Sequence, residues 1–332
     1  MHQGHHGAAP AIQAEGLVKT YPGGVRALDG LGFTVAPGTV FGLLGPNGAG
    51  KSTTVKILTT LSRPDAGQAH VAGIDVTAQP DRVRHAIGYV AQRSAVDLEA
   101  TGRENLTLQG HLYGLRGRAL KRQADGLLER LGLAEAADRV ARTWSGGMQR
   151  KLDVAMGLIH QPRVLFLDEP TTGLDPEARA DMWREVERMT RDGLTILLTT
   201  HYLEEADRLA SRLAIVDRGR VVVEGAPEDL KGELRGDAIH VELGEAQANG
   251  RVHAALNRLS GVGEVVLDGR LLRARADRAA SAVPAVLQAL EAEGVPVASV
   301  AVARPSLDDV YLRHTGRAFD HAETPTTQGA AR

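Results

Sequence analysis

Short apolar runs recur through the first two-thirds of the chain and alternate with longer stretches of helical character. Val164–Leu167 and Ile196–Leu198 are runs of the first kind, far below the ~18 consecutive apolar residues needed to cross a bilayer. Thr39–Leu44, Val164–Asp168 and Leu194–Thr199 therefore read as buried strands, with Lys51–Leu61 as the helix after the first. Residues 101–142 and 145–160 read as helical. From Ala11 to about Ala226 the alternation predicts an α/β fold, a mainly parallel sheet flanked by helices.

Ala226–Pro227 breaks that pattern. Beyond it, Ala238–Leu243 reads as a strand and Ala246–Leu259 as a helix. Glu264–Asp268 and Leu271–Ala276 form a hairpin across Asp268–Gly269, a pair that favours a tight turn. A helix over Ala279–Glu293 and a strand over Val295–Ala303 complete a β-α-β-β-α-β order. This predicts a small ferredoxin-like α+β domain over 237–315. Its sequence shows no convergent charged set, so it either widens a dimer contact or binds a regulatory ligand. Residues 1–10 and 318–332 read as flexible tails. The three histidines of the first tail lack the partners a metal site needs.

Composition narrows the chemistry. The 332 residues allow two domains, and 43% hydrophobic with 24% charged residues is the profile of an ordinary globular core. A net charge of −2 gives no general attraction to nucleic acid, so no nucleic-acid partner is expected. With no cysteine, disulfides, thiolate metal sites and cysteine nucleophiles are excluded. The N-terminus shows no apolar signal region, which predicts a cytoplasmic location.

Two segments carry specific chemistry. Gly45-Pro46-Asn47-Gly48-Ala49-Gly50-Lys51-Ser52 fits G-x-x-x-x-G-K-[ST] between a predicted strand and helix. Glycines there let backbone N–H groups wrap an anion, and the next helix presents its positive end to it. Lys51 suits the β- and γ-phosphates, Ser52 suits Mg²⁺, and Thr53 follows in the same turn. Val164–Glu169 is an apolar strand ending in two carboxylates, at the end where open α/β sheets bind ligands. Asp168 suits Mg²⁺ through its water shell, and Glu169 suits a base or orienting group for water. The alternative is that these acids only cap the strand.

Other segments extend the pattern to a resemblance. Trp144-Ser145-Gly146-Gly147-Met148-Gln149 resembles the signature of ATP-binding cassette (ABC) proteins. Asp168–Pro176 resembles the family's Walker B and D-loop segment, Thr200-His201 its switch histidine and Gln92 its Q-loop glutamine. Tyr21 matches the aromatic residue that stacks on adenine. Any one could be structural; six in order, from Tyr21 to His201, carry the resemblance. It implies a P-loop NTPase cassette over 11–226, with an antiparallel β subdomain and a helical subdomain near 95–160. It also implies ATP and Mg²⁺ as cofactors, Mg²⁺ being held by Ser52, Gln92 and Asp168. Glu169, His201 and Gln92 would serve catalysis. Ser145, Gly146, Gly147 and Asp175 would act on the nucleotide of a second cassette in a head-to-tail dimer, here a homodimer. Trp144 stands where leucine is commoner, and Met148 where glutamine is frequent.

The tail Pro305–Leu312, Phe41–Leu44 and Thr200–Ala206 resemble the daunorubicin-resistance ATP-binding subunits of two-component exporters. That resemblance implies a separate ABC-2 type integral-membrane permease and a peripheral place on the cytoplasmic face of the plasma membrane. It also implies export of a drug-like or lipid-like amphipathic molecule. The alternatives are an importer subunit and a soluble ABC ATPase acting on nucleic acid or ribosomes.

Overall fold

A computed structural model describes residues 9–316 and 319, apart from 235, 246–249 and 278. The chain divides into two compact units between Ala226 and Pro227. The expected tails at 1–8 and, save Phe319, at 318–332 lie outside the described residues.

The first unit opens with a hairpin of β1 (Ile12–Tyr21) and β2 (Val25–Val35), then β3 (Val40–Leu44) and α1 (Lys51–Leu58). A second hairpin of β4 (Ala66–Val71) and β5 (Ile74–Asp75) leads through α2 (Pro80–Ala86) to β6 (Ile87–Val90). Three helices follow: α3 (Gly102–Leu112), α4 (Gly117–Arg130) and α5 (Gly146–Leu158). The unit ends with β7 (Val164–Asp168), α6 (Pro176–Arg191), β8 (Thr195–Thr200), α7 (Leu203–Leu209), β9 (Arg212–Asp217) and β10 (Arg220–Gly225).

Pairing sorts these strands into two sheets, an antiparallel one in order β2-β1-β4-β5 and a larger one in order β10-β9-β3-β8-β7-β6. In the larger sheet only β10 runs antiparallel. Its central strands β3, β7 and β8 are buried at every position, as strands covered on both faces must be. The period of two is visible in where they pack. Phe41, Leu43, Phe166 and Leu197 join Ile12, Leu17, Leu28 and Leu31 of the small sheet. Leu165, Leu167, Ile196 and Leu198 face Val154 of α5 and Met182, Trp183, Val186 and Met189 of α6. The Phe33 and Phe41 rings stack at 5.1 Å and tie the two sheets together.

The helical part has its own core, built from Leu106, Leu120, Leu128, Leu131, Trp144 and Leu152. The expected helix over 101–142 is interrupted, since Gly114 at φ 78 turns the chain between α3 and α4. Thr101 starts α3 with a capping box: its hydroxyl accepts from Glu104 N at 3.2 Å, and Glu104 Oε2 accepts from Thr101 N at 2.8 Å. Trp144 fits because Gly102 has no side chain; a Cβ there would lie 2.4 Å from the indole. α1 stops at Leu58 instead of Leu61 because Thr60 adopts φ 65, turning the N–H groups of Leu61 and Ser62 back to Lys56 O.

The second unit comprises α8 (Pro227–Gly232), β11 (Asp237–Leu243), α9 (Gly250–Leu256), β12 (Val262–Asp268), β13 (Leu271–Ala276), α10 (Ala279–Ala292), β14 (Val297–Ala303) and α11 (Leu307–Thr315). Its antiparallel sheet runs β12-β13-β11-β14, the ferredoxin-like order. β14 begins at Val297, two residues later than expected, because Pro296 has no N–H for the ladder and Val295 N still bonds Leu290 O. One face carries Ile239, Val241, Leu272 and Ala274 against Val252 and Leu256 of α9 and Val286 and Leu290 of α10.

The other face corrects the expectation of no convergent charged set. Strand alternation turns His240, Arg273 and Arg275 to this face, where the first turn of α11 brings Asp308 and Asp309. Arg273 meets Asp308 at 3.1 Å, Arg275 meets Glu264 at 3.1 Å and Asp309 at 3.4 Å, and His240 lies 3.6 Å from Asp309. Burial alone would raise the Asp309 pKa, yet His240, the Ser306 cap and Arg275 outweigh it and hold that carboxyl at about 2. Among the described residues no helix is long and apolar enough to cross a membrane.

A depressed carboxyl pKa contributes stability above the unfolded value of 3.8 and loses it as pH falls through the folded value. Between pH 4 and 2 the second unit is expected to lose about 2 kcal/mol from Asp309, and Asp309→Asn to lack this component. Calorimetric unfolding across that window, wild type against variant, checks it; parallel pH profiles would refute the assignment. Gly102→Ala is expected to destabilise the helical part by about 1–3 kcal/mol through overpacking against Trp144, read by urea unfolding.

Candidate functional site

The site is built at the C-terminal ends of β3, β7 and β8. β3 runs into Gly45–Gly50 and then α1. Gly45, Ala49 and Gly50 form a buried base, whereas Asn47 and Gly48 are exposed on the crest, with Pro46 partly so. Two glycines are required by space: a Cβ on Gly45 would lie 2.3 Å from Val216 O, and Gly50, at φ 113, would meet Ala27 O at 2.7 Å. Gly219 N donates to Ala49 O at 2.8 Å, so β2 and the β9–β10 turn clamp the loop from below. No side chain caps the start of α1, which leaves its first N–H groups directed at the crest.

Lys51 is buried, and its ammonium donates to Gly45 O at 2.6 Å and Pro46 O at 3.1 Å. Glu169 Oε1 lies 3.9 Å away. Burial lowers the Lys51 pKa, and the charges of Glu169 and Asp168 work against that shift. Ser52 is exposed in the first turn of α1 and Thr53 is partly exposed.

β7 delivers the two acids. The Thr199 hydroxyl on β8 donates to Asp168 Oδ1 at 2.5 Å and accepts from Glu169 N at 3.1 Å, so one side chain sets both. Glu169 N also reaches Thr199 O at 3.1 Å, and the residue takes the left-handed φ of 48. Such strain, about 1–3 kcal/mol, persists only where surrounding bonds over-determine it. They do so here: Gln92 Nε2 donates to Glu169 Oε2 at 2.9 Å, Thr172 Oγ1 donates to the same oxygen at 3.3 Å, and His201 Nδ1 lies 3.2 Å from it. Burial raises the Glu169 pKa, but His201, Lys51 and Thr172 together bring it below its ordinary value. Asp168 goes the other way, pushed up chiefly by burial and further by Glu169. Tyr89, half-buried beside Asp168, is pushed up to about 12 by desolvation and by the Asp168 charge.

Lys51, Gln92, Asp168, Glu169 and His201 thus converge. Ser145 caps α5, its hydroxyl accepting from Met148 N at 3.3 Å, and it stands exposed with Gly146; Gly147 is partly buried near Ala178. Asp175 caps α6, accepting from Ala178 N at 2.8 Å. Tyr21 ends β1 in the smaller sheet, with the Lys19 ammonium 5.9 Å from its ring centroid. Among the described residues no hydrogen bond or ion pair joins Tyr21, Ser145 or Asp175 to the Lys51–Glu169 cluster. The open crest, uncapped helix start and buried ammonium suit an anion with several oxygens, and the oxygens of Ser52 and Asp168 suit a hard cation.

Comparison with known proteins agrees with this chemistry. Residues 28–172 match the ABC transporter family model, and residues 225–315 match the C-terminal domain of ATP-binding protein DrrA1-3-like proteins. Daunorubicin resistance ATP-binding protein DrrA3 of Streptomyces coeruleorubidus is 50% identical over 93% of this chain and 97% of its own. Daunorubicin/doxorubicin resistance ATP-binding protein DrrA of Streptomyces peucetius is 44% identical over 95% of each chain. The chain belongs to the ATP-binding subunits of ABC transporters, in their DrrA-like branch. A dimeric ATP-binding cassette solved in a post-hydrolysis state with ADP and phosphate superposes with a TM-score of 0.59 at 25% identity, over 65% of this chain and 98% of that one. This ABC subunit binds nucleotide and hydrolyses ATP, and its family membership implies a membrane permease partner and dimerisation.

Three residues around the site escaped the sequence reading. Thr199 looks like one more β-branched residue of a buried strand. Glu205 looks like a surface acid of α7, yet it is fully buried and accepts from Thr171 Oγ1 at 2.9 Å and Trp183 Nε1 at 3.1 Å. Burial raises its pKa. Arg150 of α5 is buried too; its guanidinium donates to Ala91 O at 2.6 Å, Pro170 O at 2.8 Å and Asp168 O at 3.3 Å. One planar fork therefore ties the segment before Gln92 to both sides of Glu169. The available signal was a charged residue in an otherwise core-facing turn of α5.

A lysine cannot span those carbonyls with a single ammonium. Arg150→Lys is expected to lower ATPase kcat on the order of 10–100-fold through misplacement of Glu169, with far less change in KM for ATP. Steady-state kinetics would show it, and an unaltered kcat would remove Arg150 from the positioning of the acids.

Proposed function

We propose that two copies of this ABC subunit close head-to-tail over two ATP molecules and drive a separate ABC-2 type permease at the cytoplasmic face of the plasma membrane. The cargo we assign is a drug-like or lipid-like amphipathic molecule moved outward. The observation that carries the catalytic reading is the convergence of Gln92, His201, Thr172 and Lys51 on one buried carboxylate, Glu169. The names of the DrrA relatives support the cargo class.

In this reading Lys51 exchanges its two backbone carbonyls for the β- and γ-phosphate oxygens, and Gly45–Gly50 and Thr53 line the phosphate chain. Tyr21 supports the adenine ring. Ser52, Gln92 and Asp168 would hold Mg²⁺, which would supply positive charge against the phosphates. Glu169 orients the attacking water or takes its proton, with Gln92 and His201 fixing one oxygen so that the other is free for that task. Ser145, Gly146 and Gly147, exposed at the start of α5, complete the phosphate site of the second copy, and Asp175 touches it. That a dimeric cassette resembles this one supports the composite arrangement.

The permease side is supported by the helical part. Leu98, Leu108 and Leu112 are 44%, 59% and 74% exposed, the last two one turn apart on α3. Apolar residues of that size left in water suit a cytoplasmic helix of a membrane partner. The Gln92–Glu169 bond then gives the partner a line to the acid.

Glu169→Gln is expected to abolish steady-state ATPase activity while leaving ATP binding intact; turnover at the wild-type rate would contradict the catalytic role. Lys51→Ala is expected to weaken ATP binding itself, so an unchanged affinity in equilibrium titration would dismiss its role on phosphate. For the whole reading, Glu169→Gln protein locked with ATP in gently solubilised native membranes is expected to recover a polytopic membrane protein. Recovery of ribosomes or nucleic acid without one would overturn it.

A further inference from the structure

The second unit carries one sheet edge that its fold leaves unguarded. β14 is outermost beside β11, so among the described residues its outer main-chain groups have no strand partner. Its sequence, Val-Ala-Ser-Val-Ala-Val-Ala, holds no charge and no proline, and Ala298 to Val302 are exposed throughout. Val300 and Val302 pair across from Val241 and Ile239, on the face covered by α9 and α10, yet remain 37% and 43% exposed. Natural sheets blunt open edges with charges, prolines or bulges. The opposite edge, β12, has such devices: its pairing slips between Gly263 and Val266, and Glu264 stands at φ 48 with its carboxylate on Arg275. β14 has no charge or proline within it; Pro296 and Pro305 flank its ends, and its pairing with β11 slips only at the start, between Val297 and Ser299, so that 299–303 keep a regular register.

We propose that β14 pairs antiparallel with β14 of a second copy about a two-fold axis at Val300, joining two four-stranded sheets into one. The inference rests on the proposed pairing of two copies, which already supplies the partner at high local concentration. About that axis Ser299 faces Ala301 and Val300 faces itself, with Val302 and Ala303 passing the slipped start of the partner's strand. No like charges meet, and the hydroxyl of Ser299 faces the smaller Ala301, the complementarity a symmetric contact requires. A ladder this short buries far less than the ~1,600 Å² of a standard interface. It therefore suits a chain dimerised elsewhere, where an added contact multiplies affinity, better than an unrelated partner that would have to bind through it alone.

The chain has no cysteine, so introduced thiols report cleanly. Residues directly opposite on antiparallel strands have Cα atoms about 4.5–5.5 Å apart, inside disulfide range. In the Glu169→Gln chain with ATP, Val300→Cys is expected to give a disulfide-linked dimer under mild oxidation. Val297→Cys alone is not, because the axis separates its two copies by roughly 20 Å. Ser299→Cys combined with Ala301→Cys is expected to link. Val300→Lys, which sets two ammonium groups face to face, is expected to raise the concentration needed for half-dimerisation about tenfold or more by sedimentation velocity. Equal linkage of V300C and V297C, or unaltered dimerisation of V300K, overturns the proposal. So does a V300C thiol that resists both linkage and alkylation, since a segment of the same chain would then cover the strand. If the parent Glu169→Gln chain fails to dimerise with ATP, the composite-site reading falls instead, and V300C linkage at high protein concentration without nucleotide still decides the edge.

Discussion

Two carboxylates, Asp168 and Glu169, sit side by side and buried with one ammonium, Lys51, within reach. Much of the first unit answers the problem this creates. Adjacent buried anions repel, and burial alone would protonate either of them. The structure separates their fates instead of treating them alike. Asp168 keeps a raised pKa beside Tyr89 and Thr199, a group waiting for positive charge to arrive. Glu169 is held on the charged side by His201, Lys51 and Thr172. Glu169 takes the left-handed φ of 48 directly after the strand that carries Asp168.

The larger scaffold reads as support for that turn. Thr199 reaches the acids because β8 lies beside β7 in parallel register, Asp168 opposite Thr199. Lys51 reaches them because β3 occupies the other side of β8 and its loop is pressed from below by Ala27, Val216 and Gly219. Arg150 arrives from the helical part and grips the backbone on either side of Glu169. Two connections therefore bear on the acid from outside the sheet, the Gln92 side chain and the Arg150 fork.

How much of this was legible in the sequence depended on the range of the contacts. The loop Gly45–Ser52, the strand ending in Asp168-Glu169 and the Thr200-His201 pair after the next strand are local arrangements, and the chain order exposes them. The strand-helix alternation and the β-α-β-β-α-β order are equally local, so the fold class was readable along with them. Arg150, Thr199 and Glu205 were not, because each acts on a group tens of residues away and looks unremarkable among its neighbours. Thr60 is another case: nothing in Thr59-Thr60-Leu61 announces that the helix must end at Leu58, yet the left-handed residue ends it. The Trp144 substitution was visible, but its accommodation was not, since the explanation lies at Gly102.

The second unit sharpens the same point. Its charged face joins strand residues 240, 273 and 275 to a helix turn at 308–309, positions that only the antiparallel register makes neighbours. Seen along the chain they are scattered surface charges; in the fold, Arg275 and Asp309 are buried and bonded. Such networks are weak evidence of net stabilisation but strong specifiers of how an element docks, because a mispacked α11 would leave buried guanidinium groups without carboxylates. That fixes α11 on one face of the sheet while apolar helices hold the other. With both faces assigned and β12 slipped within its length, the open edge among the described residues is the uncharged stretch 299–303 of β14, regular beyond a slip at its start. A domain that orients one short helix through Arg273, Arg275 and their carboxylates, yet places no charge along β14, is built as if that edge were occupied in the working assembly.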